Sequence, residues 1–291
     1  MLEFFQMIVS ALAVGSSYAL MALAMVIIYK TSEVVNFAQG EMALASAYFT
    51  FMLLEIYGFS FISAFILAFV FSLILGAVLE FAVLRRAKEP NLLGLIIITI
   101  GMEFIILGLV SWKFGADQQV FPFPIGPYDS IEIAGTFISN LELLSFAIAI
   151  LVMGVLFVFY RFSKMGMAMK ATQQNPIAAR IMGIRTKRIM MLTWGISAMV
   201  GCVAALLTAP ILLEPFMMWG PMLKGFSAAV LGGMTSLPGA VAGAYILAIV
   251  ENLFGGYISI EFKAVVAFAM IVLVLWFKPS GLFARHYVKK V

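Results

Sequence analysis

Charge is what this chain lacks most. Asp, Glu, Lys and Arg make up 11% of its 291 residues while 64% are hydrophobic, which leaves too few polar side chains to solvate a water-soluble domain. No polar linker is long enough to divide it, so residues 1–291 read as one transmembrane domain. Cysteine and histidine are equally scarce. A lone Cys202 excludes an internal disulfide and reads as a packed or lipid-facing small residue. With His286 as the only histidine, neither a histidine–cysteine nor a multi-histidine metal site can form within the chain. No paired aspartates share a membrane depth, as an intramembrane protease would need. There is no Gly-x-x-x-x-Gly-Lys-Ser/Thr loop to hold a nucleotide, so no cofactor is expected in this chain and no enzymatic activity. Met1, Leu2 and Glu3 lack the basic start of a secretory signal, and the first apolar run is long enough to span, which predicts a retained first helix.

What is present is a series of apolar runs near the roughly 20 residues that a bilayer demands. They fall at 7–29, 36–56, 61–84, 92–112, 141–160, 189–213, 222–234, 238–254 and 262–277. The expectation is an all-α polytopic protein with eight or nine transmembrane helices, nine if the short segment at 222–234 crosses. A polar, proline-bearing stretch at 113–140 carries Asp117, Asp129 and Glu132. Positive charge gathers at Arg85, Arg86 and Lys88, at Arg285, Lys289 and Lys290, and above all in 161–188, which holds seven Lys or Arg and no acid. Positive loops resist translocation, so these sites share the cytoplasmic side. That places the N-terminus in the periplasm and the C-terminus in the cytoplasm. The net charge of +4 is thereby explained by topology, and nucleic acid is not implied.

Two segments depart from plain apolar helix. Asn36-Phe37-Ala38-Gln39-Gly40-Glu41 opens the second span, and Gly232-Gly233-Met234-Thr235-Ser236-Leu237-Pro238-Gly239 joins two later ones. Irregular backbone at membrane depth survives only against protein or water, so Asn36, Gln39, Gly232, Gly233 and Ser236 are candidate pathway residues. Paired segments of this kind also point to internal duplication, which the loose match leaves open. A charge at the bilayer centre costs at least roughly 2.5 kcal/mol, and Glu41, Glu103, which follows Thr99, and Glu251 lie within spans. Either these acids pair with neighbouring helices or a partner subunit, or they line a polar transport route. Gly239 and Gly243 have the spacing of small residues that bring helices close.

The basic loop has internal order. Asn175 can cap a helix that begins at Pro176, where a missing amide proton costs nothing, and Gly183 can end it two turns later. Ile177, Ile181 and Ile184 form a bulky stripe, while Ala179 and Gly183 leave the far side nearly bare. A helix this short must be held by protein. It either docks into a groove on a soluble partner or lies flat on the membrane.

Phe162-Ser163-Lys164-Met165-Gly166, Asn175-Pro176-Ile177-Ala178-Ala179 and Met182-Gly183-Ile184 resemble the cytoplasmic coupling loop of branched-chain amino acid ABC importer permeases of the LivH type. Gly15-Ser16-Ser17-Tyr18-Ala19-Leu20 and Val35-Asn36-Phe37-Ala38-Gln39-Gly40-Glu41 are similar to that family's first two spans. Lys224-Gly225-Phe226-Ser227-Ala228-Ala229-Val230-Leu231-Gly232-Gly233, continuing through Ser236-Leu237-Pro238-Gly239-Ala240 to Glu251, resembles its C-terminal signature. Gln39 stands where a histidine is common, and 113–140 shows little of the family pattern. The resemblance implies a permease in a bacterial inner membrane with four kinds of neighbour: the lipid bilayer, a homologous second permease, two cytoplasmic ATPase subunits that bind ATP and Mg, and a periplasmic amino-acid-binding protein. It implies alternating access driven through a helix at 171–184, with Ala171, Asn175, Pro176, Ala178, Ala179, Met182, Gly183 and Ile184 as ATPase-coupling residues and Ala178, Ala179 and Gly183 as the contact. Leucine, isoleucine and valine are the expected solutes, within a family that also carries urea, amides and other amino acids. The alternative is an ion-coupled secondary transporter that uses Glu103 or Glu251 and needs no ATPase, and a third reading is a membrane assembly or receptor subunit.

Overall fold

The computed structural model describes residues 2–87, 91–126, 129–133 and 136–283. Lys88, Arg285, His286, Lys289 and Lys290, which entered the topology and metal arguments, lie outside the described residues. The protein is a helical bundle. Its helices are α1 (Leu2–Ser32), α2 (Gln39–Phe51), α3 (Phe61–Ala82), α4 (Leu92–Phe114), α5 (Asn140–Phe162), α6 (Lys164–Gln174), α7 (Pro176–Ile181), α8 (Thr186–Thr208), α9 (Trp219–Gly232), α10 (Leu237–Tyr257) and α11 (Lys263–Phe277). A π-helical turn at Met52–Ile56 extends α2.

Among the described residues, six helices are long and apolar enough to cross a membrane, within α1, α3, α4, α5, α8 and α10. The other three expected spans fall on α2, α9 and α11, which are 13, 14 and 15 residues long. A second departure is a two-stranded antiparallel hairpin, β1 (Ser130–Ile133) and β2 (Thr136–Ser139), inside the polar stretch at 113–140. Ser-Ile-Glu-Ile alternates polar and apolar residues, the period of a strand, while Thr-Phe-Ile-Ser is rich in the β-branched and aromatic residues that favour strands. The hairpin leads into α5 through a capping box between Ser139 and Glu142, and Ser10 on α1 donates to Glu142 Oε1 at 2.9 Å.

α1 is the axis of the bundle. From Tyr18 to Ile28 every residue is buried, as expected of a helix that is apolar on all sides and surrounded by protein. α10, α8, α9 and α5 surround it. α3 shows the opposite pattern, with only Ala64, Ala68, Ser72, Gly76 and Glu80 buried, one every four residues. That stripe lies on α8, where a Cβ on Gly76 would sit 2.4 Å from the Trp194 carbonyl oxygen. The bulky faces of α3, α4 and α5, including Ile62, Ile66, Ile105, Leu109, Leu151 and Val155, are exposed and form the lipid-facing surface.

α9 and α10 pack as a hairpin at backbone contact. A Cβ on Gly232 would meet the Gly239 carbonyl oxygen at 1.9 Å, and one on Gly243 the Ala228 oxygen at 2.4 Å. Small residues are needed here by geometry.

Candidate functional site

Residues 33–38 turn back into the bundle rather than running along its end. Asn36 makes an Asx-type bond in which its Oδ1 accepts from Ala38 N at 3.1 Å, and its Nδ2 donates to Gln39 Oε1 at 3.3 Å. Gln39 Nε2 then donates to the Ser197 carbonyl at 3.3 Å, while Ser197 Oγ donates to Gln39 Oε1 at 2.9 Å and lies 2.7 Å from the Ala24 carbonyl oxygen. Thr99 Oγ1 accepts from Phe37 N at 3.2 Å. These contacts join α1, α2, α4 and α8 in one knot whose Asn36, Gln39, Thr99 and Ser197 side chains are all fully buried. A buried polar network that satisfies itself rigidifies its surroundings. Ser197 sits about 16 Å of helix beyond the start of α8, so α2 begins deep in the bundle and not at its surface. Gly201 makes room for this: a Cβ there would lie 2.6 Å from Gln39 Nε2.

The first turns of α2 and α9 meet at this depth. Gly40 faces Met222, whose Sδ would be 3.0 Å from an added Cβ. Glu41, in the first turn of α2, has Glu103 on α4 and the side chain of Trp219, the first residue of α9, as its polar neighbours. It is buried, and its Oε2 has no hydrogen-bond partner among the described residues. Helix N-termini carry partial positive charge, which offsets the missing cation.

Glu251 belongs to a different cluster. Lys224 Nζ on α9 pairs with its Oε1 at 2.5 Å, lies 5.3 Å from the ring centre of Tyr18 on α1, and Tyr18 is itself a hydrogen-bonding neighbour of Glu251. Of the two readings left open for this acid, pairing with a neighbouring helix is the one the geometry shows. Ser197 and Trp219 were not named from sequence, and Tyr18 and Lys224 only as members of family-like motifs. Lys224 carried a usable signal, because a lone lysine in an apolar helix calls for a nearby acid.

Gly232, Gly233 and Ser236 are brought together at the α9–α10 turn. Ser236 caps α10 by accepting from Gly239 N at 3.1 Å. Gly233 has φ +105°, a conformation a side chain would strain.

In the basic loop, Asn175 Oδ1 accepts from Ile177 N at 3.0 Å and Ala178 N at 2.9 Å. Gly183, at φ +84°, reverses the chain, and Ile184 N reaches the Ala179 carbonyl at 2.9 Å. The expected helix at 171–184 is in fact two: Ala171 lies on α6, and the chain breaks at Asn175 because a residue before proline is driven out of the helical region. The faces of α7 also differ from the expected arrangement. Ala179 is 4% exposed and turned into the protein, whereas Ile177, Ile181 and Met182 are 68%, 80% and 82% exposed. Ala178 and Gly183 are exposed and Ile184 is half-buried. At the loop's far end, the Arg85 guanidinium pairs with Glu80 and donates to the Lys187 carbonyl at 2.8 Å, which ties α3 to the start of α8.

A family model described as "Branched-chain amino acid transport system / permease component" matches residues 7–275. The high-affinity branched-chain amino acid transport system permease protein LivH of Escherichia coli K12 is 31% identical, with 100% of this chain and 98% of that protein covered. The corresponding permease protein BraD of Pseudomonas aeruginosa is also 31% identical, over 99% and 98%. Among solved structures, the fold is similar to a chain of PsaBC from Streptococcus pneumoniae, with a TM-score of 0.51 at 12% identity, covering 94% of this chain and 91% of that one. With apolar helices that mark a multi-pass membrane protein, and with a match that runs from near the start of α1 almost to the end of α11, this chain belongs to the branched-chain amino acid transport permease family.

Proposed function

We propose that this chain is the membrane-spanning permease subunit of an ATP-binding cassette importer for branched-chain amino acids in a bacterial inner membrane. A second permease, two cytoplasmic ATPases and a periplasmic binding protein complete the assembly, and ATP-driven closure switches the permease between outward and inward openings. The observation that carries this reading is α7: capped at Asn175, reversed at Gly183 and seated on Ala179, it holds Ile177, Ile181 and Met182 out into solvent. Exposed bulky residues on a rigid two-turn helix suit a hydrophobic groove on a soluble partner. We assign the ATPase contact to this stripe, with Ala179 as the seat of the helix. The positive-inside rule supports a cytoplasmic side for α7 and the C-terminus and a periplasmic side for the N-terminus. The ion-coupled alternative loses support from Glu251, which is already engaged by Lys224.

Mild detergent extraction of the native complex tests the proposal. The wild-type chain should bring down two ATPase subunits and a sister permease, and Ile181→Glu should lose the ATPases and energised leucine uptake while inserting normally. Ion-gradient-driven uptake by this chain alone in proteoliposomes would sink the importer reading.

A further inference from the structure

A cavity of about 770 Å³ lies where the end of α1, the end of α5, α6 and the start of α10 come together. Three cations from three helices line it, Lys30, Arg161 and Lys170, against one acid, Glu33, so the lining charge is three minus one, or +2. Lys30 and Lys170 are near enough to repel each other, and none of the three cations takes part in the salt bridges of the described residues. Arg161 rests against the Phe157 and Phe162 rings, at 5.9 and 5.6 Å, which supports its stem without neutralising it. Like charges gathered around an open volume cost energy that an anion would relieve.

The cavity is not wholly polar. Phe157, half exposed, lies on its wall, and the same helix carries Ile150, Leu151, Val155 and Val158 exposed along the lipid-facing surface.

We propose that this cavity binds the headgroup of an anionic phospholipid, its phosphate held by Lys30, Arg161 and Lys170 and an acyl chain laid on Phe157 and the exposed face of α5. A phosphate among fixed cations at the end of a membrane helix, with hydrocarbon beside it, is the chemistry of a lipid site at the interface. Free phosphate would satisfy the cations but leave the apolar wall unused. The proposal rests on the chain's place in the membrane and not on the importer reading.

The test titrates phosphatidylglycerol into the delipidated full-length chain in mild detergent, with phosphatidylcholine and inorganic phosphate as comparison probes. Saturable binding should be at least tenfold tighter for phosphatidylglycerol than for phosphatidylcholine. Lys30→Gln and Lys170→Gln should each weaken it roughly fivefold. Lys170 is exposed, so its replacement does not threaten the fold. Lys164→Gln, on the same helix as Lys170 but off the cavity wall, should leave binding unchanged. Equal binding of the two lipids, equal loss in Lys164→Gln and Lys170→Gln, or displacement of the lipid by millimolar inorganic phosphate would each overturn the proposal. So would loss of a copurifying protein from Lys170→Gln with lipid binding intact, which would assign the cations to an acidic partner surface.

Discussion

Replacing Lys224 with methionine should be among the most damaging single changes available in the bundle, and its magnitude follows from the asymmetry of the pair. The Glu251 side chain is 1% exposed and the Lys224 side chain 24%. Removing the lysine strands a carboxylate between α1, α9 and α10, and breaking a buried pair in this way costs about 3–5 kcal/mol. Removing the acid instead, as Glu251→Met, leaves a lysine with partial access to solvent and a flexible stem that can move its charge outward, so the cost should fall to about 2 kcal/mol. With both changed to methionine no charge is left to strand, and the double variant should return to within about 1 kcal/mol of the native protein. The cycle therefore predicts a coupling of at least about 4 kcal/mol. Tyr18→Phe keeps the ring beside Lys224 and loses only the hydroxyl, for about 1 kcal/mol.

Reversible unfolding in mixed micelles, followed by far-UV circular dichroism, measures all four stabilities on one scale. The reasoning is refuted if Lys224→Met costs less than about 1 kcal/mol, or if the double variant is as unstable as Lys224→Met alone. In either case the 2.5 Å contact would be incidental, and Glu251 would return to the pool of candidate pathway acids.

Three further outcomes follow from the same geometry. Gly243→Ala drives a Cβ to 2.4 Å from the Ala228 carbonyl oxygen, a backbone atom that cannot swing aside, so the α9–α10 hairpin should open at a cost of about 1–3 kcal/mol; Gly154→Ala, with nothing within 4 Å, should be neutral in the same unfolding assay. Asn175→Ala deletes both cap bonds of α7 and should cost about 1 kcal/mol, visible as faster hydrogen exchange confined to residues 175–184 with the bundle unchanged. Gln39→Ala leaves Asn36 and Ser197 short of partners in a sealed knot and should destabilise by about 1–3 kcal/mol, whereas Gln39→Glu should be worse, because it adds a charge where no cation is in contact.

What was legible in the sequence was local. Asn175, Pro176 and Gly183 marked the ends of α7 because capping depends on residues within one turn of each other, and the six long apolar helices declared themselves by length. The partnership of Lys224 with Glu251 was not legible, since it links two helices through a contact that no local pattern encodes. Nor was the depth at which α2 begins, which is set by Gln39 reaching Ser197 on α8. Of the expected α7 contact residues, Ala178 and Gly183 are exposed and Ala179 faces inward. Small residues looked like the natural contact for a partner, but a two-turn helix needs a seat on its own protein first, and Ala179 is small enough to provide a close one. The bulky stripe is left outside, against the usual expectation that large apolar residues turn inward. That reversal is what an unfilled interface looks like in an isolated chain.

The buried acids show why charge inside this bundle cannot be given one role. Glu80 and Glu251 each have a cation, Arg85 and Lys224, and their positions are explained by pairing. Glu41 has none among the described residues. It sits at the start of α2 beside the start of α9, next to Glu103, with one carboxylate oxygen unpartnered. The starts of α2 and α9 supply diffuse positive potential beside it, and the Trp219 side chain lies next to it, so this acid is offset without a cation. Short helices that begin within the membrane and turn their N-termini toward one position recur where transporters handle solutes. Asn36 and Gln39 are occupied by each other, Thr99 by the backbone around Phe37 and Glu251 by Lys224, whereas Glu41 Oε2 keeps no hydrogen-bond partner among the described residues.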